Sequence, residues 1–233
     1  MARITRKELK SDKFAQEVGL TVTFFEEHKE EIARYGTIAA VVGLLIAGYI
    51  VYQRHEHGVR EQALTKAIQV QEAQVGPPSP NGGLSFPTQE EKDREALRVF
   101  TDLRNKYAGS EEGEIAEYYL GAIQADQGKL AEAEKSFQEA AQKSDEKYAS
   151  LARLSLAQIY FASGRPDLGQ RTLQELIAKP TIFVSKYQAT ITLARYLMPT
   201  KPAEARKLLD PLRSLPGAVG QVAIQAYGEL PPQ

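Results

Sequence analysis

Few residues in this chain have the types and spacing that chemistry needs. His55-Glu56-His57 sets two imidazoles around a carboxylate, a donor set suited to a divalent metal. Residues two apart on a helix point to different faces, so this pair chelates poorly, and the spacing favours a solvated charge cluster at headgroup level. Glu26, Glu27, Glu30 and Glu31 include facing carboxylate pairs on one helix, the arrangement that acid–base work would use, but no partner base accompanies them. There is no cysteine, which excludes disulfide frameworks, thiolate zinc sites and a cysteine nucleophile, and which is compatible with an oxidising compartment. The phosphate-binding Gly-x4-Gly-Lys-Ser/Thr, the metallopeptidase His-Glu-x2-His and the nucleophile elbow Gly-x-Ser-x-Gly are absent. The expectation is a protein that is not an enzyme, with no catalytic residue, no metal and no cofactor.

The elements around these residues are predicted to be helical throughout. Ala, Glu, Gln, Leu and Lys dominate long stretches and tryptophan is absent, which predicts an all-α fold with almost no strand. At 233 residues the chain has room for one domain with an appendage, or for a repeat array. A formal net charge of −1 gives no sign of nucleic acid as a partner.

Residues 35–53 read YGTIAAVVGLLIAGYIVYQ, uncharged between Arg34 and Arg54. At about 1.5 Å per residue this segment spans roughly 28 Å, close to a bilayer's hydrocarbon core. Tyr35, Tyr49 and Tyr52 sit near its ends, as interfacial tyrosines do. The charged stretch before it is too long for a signal-peptide n-region and no Ala-x-Ala site follows, so the segment is expected to remain as a transmembrane helix, the protein's contact with the lipid bilayer. Arg3, Arg6, Lys7, Lys10, Lys13, Lys29 and Arg34 precede it; Arg54, Arg60 and Lys66 follow. That bias puts residues 1–34, a tail of two short helical pieces, in the cytoplasm and the C-terminal part outside, in the periplasm of a two-membrane bacterium. Thr5 with Glu8 and Thr23 with Glu26 would open the two pieces as capping boxes, with Gly19 between them. Ala39, Gly43 and Ala47 recur every four residues in the span, either as a helix-packing stripe or as the ordinary small-residue content of membrane helices.

The remainder repeats. Leu120-Gly121 returns as Leu156-Ala157 and Leu193-Ala194, and Ala133, Phe137 and Ala140 return as Gly169, Leu173 and Leu176, then as Ala205, Leu209 and Leu212. Gly128 and Gly164 mark turns, and Pro180 and Pro216 close the second and third copies. A helix–turn–helix unit with a period in the mid-thirties resembles the tetratricopeptide repeat. The consensus Trp-x2-Leu-Gly-x2-Tyr appears as Glu117, Leu120, Gly121 and Gln124, then Arg153, Leu156, Ala157 and Tyr160, then Thr190, Leu193, Ala194 and Leu197. A glycine inside a helix costs about 1 kcal/mol relative to alanine. Gly121 is therefore expected where paired helices cross, with Phe137 packed over it. A partial earlier copy pairs residues 59–75 with a helix holding Ala96, Phe100 and Leu103, opened by Thr88 and Glu91. Residues 54–75 form a stalk running into that first solenoid helix, residues 76–87 are a Pro/Gly loop, and residues 88–233 are repeats ending in a cap over 217–227.

A tail reading RITRKELKSDKF, one uncleaved span and such an array together resemble the YfgM-like family of bacterial inner-membrane proteins. That resemblance implies an adaptor ancillary to the Sec translocon, with periplasmic chaperones or exported chains as protein partners. The same architecture also serves scaffolds of envelope assembly or cell division, and accessory subunits that regulate membrane enzyme complexes. In a tetratricopeptide array the first helix of each pair lines the concave face, which places Tyr118, Tyr119, Asp126, Gln158, Phe161 and Arg195 near a partner-binding groove. The alternative for the aromatics is ordinary packing between repeats.

Overall fold

A computed structural model describes residues 29–77 and 83–231, and the chain divides into two compact units, residues 1–59 and 60–233. The basic tail, both of its capping boxes and Gly19 lie outside the described residues. The first helix, α1 (Lys29–Gln71), begins ahead of the expected span. In the first unit its apolar stretch is exposed along its length, Leu44, Leu45 and Val51 included, and it is long and apolar enough to cross a bilayer. Thr37 returns its hydroxyl proton to the Ala33 carbonyl at 2.6 Å, satisfying a polar side chain within its own helix. Nothing lies within 4 Å of where a Cβ on Gly43 would stand, so among the described residues no second helix packs on the Ala39, Gly43, Ala47 stripe.

In the second unit the last turns of α1 bury Ala67 and Val70 in a cluster with Ala96, Phe100 and Leu103. The latter three lie on α2 (Gln89–Lys106), whose Thr88 cap accepts the Glu91 N–H at 3.2 Å. Helix was expected as far as Val75, but it stops at Gln71. Gln74–Val75 (β1) instead pairs in parallel with Ser85–Phe86 (β2), at the base of the Pro/Gly segment. Phe86 packs against the α1/α2 cluster, and that burial holds a pairing that local propensity alone could not select.

Three helix pairs follow: α3 (Glu111–Asp126) with α4 (Leu130–Lys143), α5 (Glu146–Ala162) with α6 (Pro166–Ala178), and α7 (Lys186–Leu197) with α8 (Pro202–Leu209). A 3-10 turn over Asp210–Leu212 and a closing helix α9 (Ala218–Gly228) complete the array, so Leu212 sits in that turn rather than in the helix. Each helix packs chiefly on its sequence neighbours, as in a solenoid. The first helices of the pairs start alike. Ser110, Asp145 and Ser185 accept the N–H three residues on, at 3.2, 3.1 and 3.1 Å. Two of the second helices begin on a proline, Pro166 and Pro202, whose missing N–H would have no intrahelical partner there.

The first two turns share one device. Gly128 and Gly164 have φ of +74° and +71°. The following residues, Lys129 and Arg165, donate back to Gln124 and Tyr160 at 2.9 and 2.8 Å, while the glycines donate to Ala125 and Phe161. These are Schellman closures, and the left-handed position selects glycine. The third turn has no glycine and closes by Lys201 donating to Leu197 at 2.7 Å. Replacing Gly164 by alanine should lower stability by about 1–2 kcal/mol, the cost of the left-handed region for a residue with a Cβ. Urea unfolding followed by circular dichroism reads this, and an unchanged midpoint would contradict the turn geometry.

Candidate functional site

Two size compensations set the spacing of the helices. A Cβ on Gly121 would lie 2.9 Å from the Phe137 ring, so the glycine is where α4 presses its largest side chain onto α3. In the next pairs Ala157 stands with Leu173 and Ala194 with Leu209, all fully buried. The second compensation is Phe161, whose ring would lie 2.6 Å from a Cβ on Gly169. The consensus tryptophan position holds something else in the first pair. Glu117 is buried there and meets Arg104 of α2 at 3.3 Å. A second buried carboxylate, Glu112 in the first turn of α3, meets Arg60 of α1 at 3.1 Å. Between pairs, Arg165 grips Glu134 with two hydrogen bonds, and that guanidinium holds the Glu134 carboxyl below the usual carboxylate range.

Along the first helices runs a row of rings. Tyr119 stacks on Phe100 at 4.7 Å, Tyr118 meets Tyr119 edge-on at 5.5 Å, Tyr148 lies 5.8 Å from Tyr118, and Phe183 lies 5.5 Å from Tyr148. The row therefore joins α2, α3, α5 and the turn before α7. Three phenols stand in this row, those of Tyr118, Tyr119 and Tyr148. Burial raises all three phenols above the ordinary tyrosine range, Tyr119 to about 12, so they stay neutral at physiological pH.

The six residues expected near a groove divide. Tyr118 and Tyr119 join the row, and Asp126 and Gln158 are exposed on α3 and α5. Phe161 is a packing residue, stacked on Tyr196 at 4.1 Å above Gly169. Arg195 is half exposed, 3.9 Å from Glu229, and borders a separate cavity of about 390 Å³ between α7 and α9 that Tyr187, Ile191 and Val222 also line. Tyr148, Phe183 and Ile182 escaped sequence reasoning. The one local signal was apolar residues in a turn between Pro180 and Ser185, and their partners are distant in sequence. The imidazoles of His55 and His57 belong to no metal-competent cluster among the described residues.

A family model described as a tetratricopeptide repeat-like domain matches residues 23–190. No curated protein and no solved structure matches the chain.

Proposed function

The chain belongs to the tetratricopeptide repeat-like domain family, and on that premise we propose that it is a single-span membrane adaptor, its repeats holding protein partners on the outer side of a bacterial inner membrane. Repeat domains of this family are in general scaffolds for protein partners. One observation carries the membrane part: α1 exposes an uncharged apolar stretch of bilayer length in the same chain as the repeats. The lysines and arginines before Tyr35 support a cytoplasmic tail. The resemblance to YfgM-like proteins makes the Sec translocon, periplasmic chaperones and emerging chains the partners of this reading.

The test has two parts. Alkaline extraction should leave the chain in the membrane pellet, and protease added to spheroplasts should digest residues beyond Gln53 while sparing the tail. Recovery in the soluble fraction would sink the anchor, and digestion of the tail alone would reverse the orientation. Photo-crosslinking from the repeat domain in native membranes should then capture translocon or chaperone subunits. Capture of cell-wall or division proteins instead would move the adaptor to envelope assembly.

A further inference from the structure

We propose that the turn over residues 179–186, which holds Ile182 outward between Lys179 and Lys186, docks on a bilayer surface of anionic lipid headgroups. The inference rests on the membrane anchor of the reading above and gives the repeat unit a lipid contact of its own.

Ile182 is 81 % exposed and Phe183 40 % exposed, so the turn is an apolar protrusion, while Val184 beside them is fully buried. The Thr181 hydroxyl accepts the Phe183 and Val184 N–H groups at 3.3 and 3.0 Å, and the Thr181 N–H donates to the Val184 carbonyl. The buried Ser150 hydroxyl meets that of Thr181 at 2.7 Å, and Phe183 meets the Tyr148 ring edge-on at 5.5 Å. A tip fixed in this way before contact loses little freedom on binding.

Lys179 and Lys186 are exposed at the two ends of the turn, and among the described residues neither ammonium is in ion-pair contact with a carboxylate. Lys186 lies 5.0 Å over the Tyr187 ring, a contact that leaves its charge unneutralised. Residues 176–203 hold no aspartate or glutamate. Asp145, at the start of the helix that carries Tyr148, is met by Lys147 at 3.4 Å. Unneutralised lysines flanking an apolar tip complement anionic headgroups lying over acyl chains, and each lysine near such a surface favours contact about fivefold. A protein partner is disfavoured by size, since stable protein interfaces engage about 20–30 residues a side and this turn is a single short loop. A bilayer asks for less. Arg60, where the repeat unit begins, follows Gln53 by seven residues, about 10 Å of helix rise, so the anchor is a short tether. A contact too weak to hold a free protein then acts at high effective concentration.

The full-length chain is placed in nanodiscs that carry a photoactivatable phospholipid, in a zwitterionic bilayer or in one with phosphatidylglycerol added, and lipid adducts are mapped by mass spectrometry. Adducts on residues 172–186 should rise about fivefold or more with phosphatidylglycerol, while labelling of residues 35–54 in the span stays constant. Ile182→Ser, and separately Lys179→Gln with Lys186→Gln, should each abolish that gain. All three residues are exposed, so far-ultraviolet circular dichroism should stay at wild type. Equal adduct yields in the two bilayers, or a gain that neither variant lowers, overturns the proposal. So does a turn without adducts whose lysine variant loses a crosslinked protein in native membranes, which would make it a site for an acidic protein segment. Adducts in the span with none on the turn overturn this inference alone, whereas a span without adducts removes the anchor reading itself.

Discussion

Replacing Gly121 by leucine should lower the unfolding free energy by about 3 kcal/mol, at the upper end of what overpacking a core costs. The ring it would meet belongs to Phe137, which is 2 % exposed and touches Tyr118 as well, so it cannot swing into solvent. A Cβ alone already falls 2.9 Å from that ring, and the leucine branch goes further into it. The repeats themselves supply the sharper experiment. Where the first pair uses glycine under phenylalanine, the second and third use alanine under leucine, at Ala157/Leu173 and Ala194/Leu209. Gly121→Ala should therefore destabilise through contact with the ring, and Phe137→Leu should destabilise by about 1–2 kcal/mol through lost volume. Together they should cost less than either sum predicts, with a coupling of about 1 kcal/mol or more. Urea unfolding of the full-length chain in neutral detergent measures all four corners of the cycle. Strict additivity would show that the two positions do not share the crossing.

Arg60→Ala should cost about 3 kcal/mol, for a different reason. Glu112 is 3 % exposed in the first turn of α3, and the Arg60 guanidinium approaches it at 3.1 Å from α1. Removing Arg60 takes a cation away from a carboxylate in a medium that solvates it poorly, and breaking buried pairs costs about 3–5 kcal/mol. Arg60 keeps 22 % of its side chain exposed, which places the expectation at the low end. Arg60→Met combined with Glu112→Leu should recover most of the loss, because neither side chain then carries a charge. A loss in Arg60→Ala below about 0.5 kcal/mol, the range of ordinary surface changes, would mean that this contact does not hold α1 to the repeats.

What could be seen in the sequence follows from how local the cause was. Gly121 was legible because glycine within a helix is anomalous unless something large lies opposite, and the copies at 157 and 194 gave the register. Gly128 and Gly164 were legible as turns for the same kind of reason. The end of α1 was not, since Gln74 and Val75 leave the helix for a partner strand beyond the Pro/Gly segment. Among the aromatics, adjacency made Tyr118 and Tyr119 visible. Tyr148 and Phe183 reach them only because successive pairs stack, and no window of the chain contains all four. Phe161 shows the reverse. Its place in the repeat suggested the groove, while Gly169 below and Tyr196 beside it give the ring a packing role.

The parallel pairing of Gln74–Val75 with Ser85–Phe86 bears on what can be inserted into this protein. Gln74 donates to Leu84 at 3.3 Å and Gly76 to Phe86 at 2.9 Å, so both ends of the intervening segment are tied at one base while α1 and α2 meet through their own apolar cluster. The entropy of closing a flexible loop grows only with the logarithm of its length, and doubling it costs about 0.6 kcal/mol. Residues 77–83 are thus a graft point, where an epitope, a fluorophore-binding tag or a small folded domain can be spliced into the chain while the α1/α2 cluster keeps its packing.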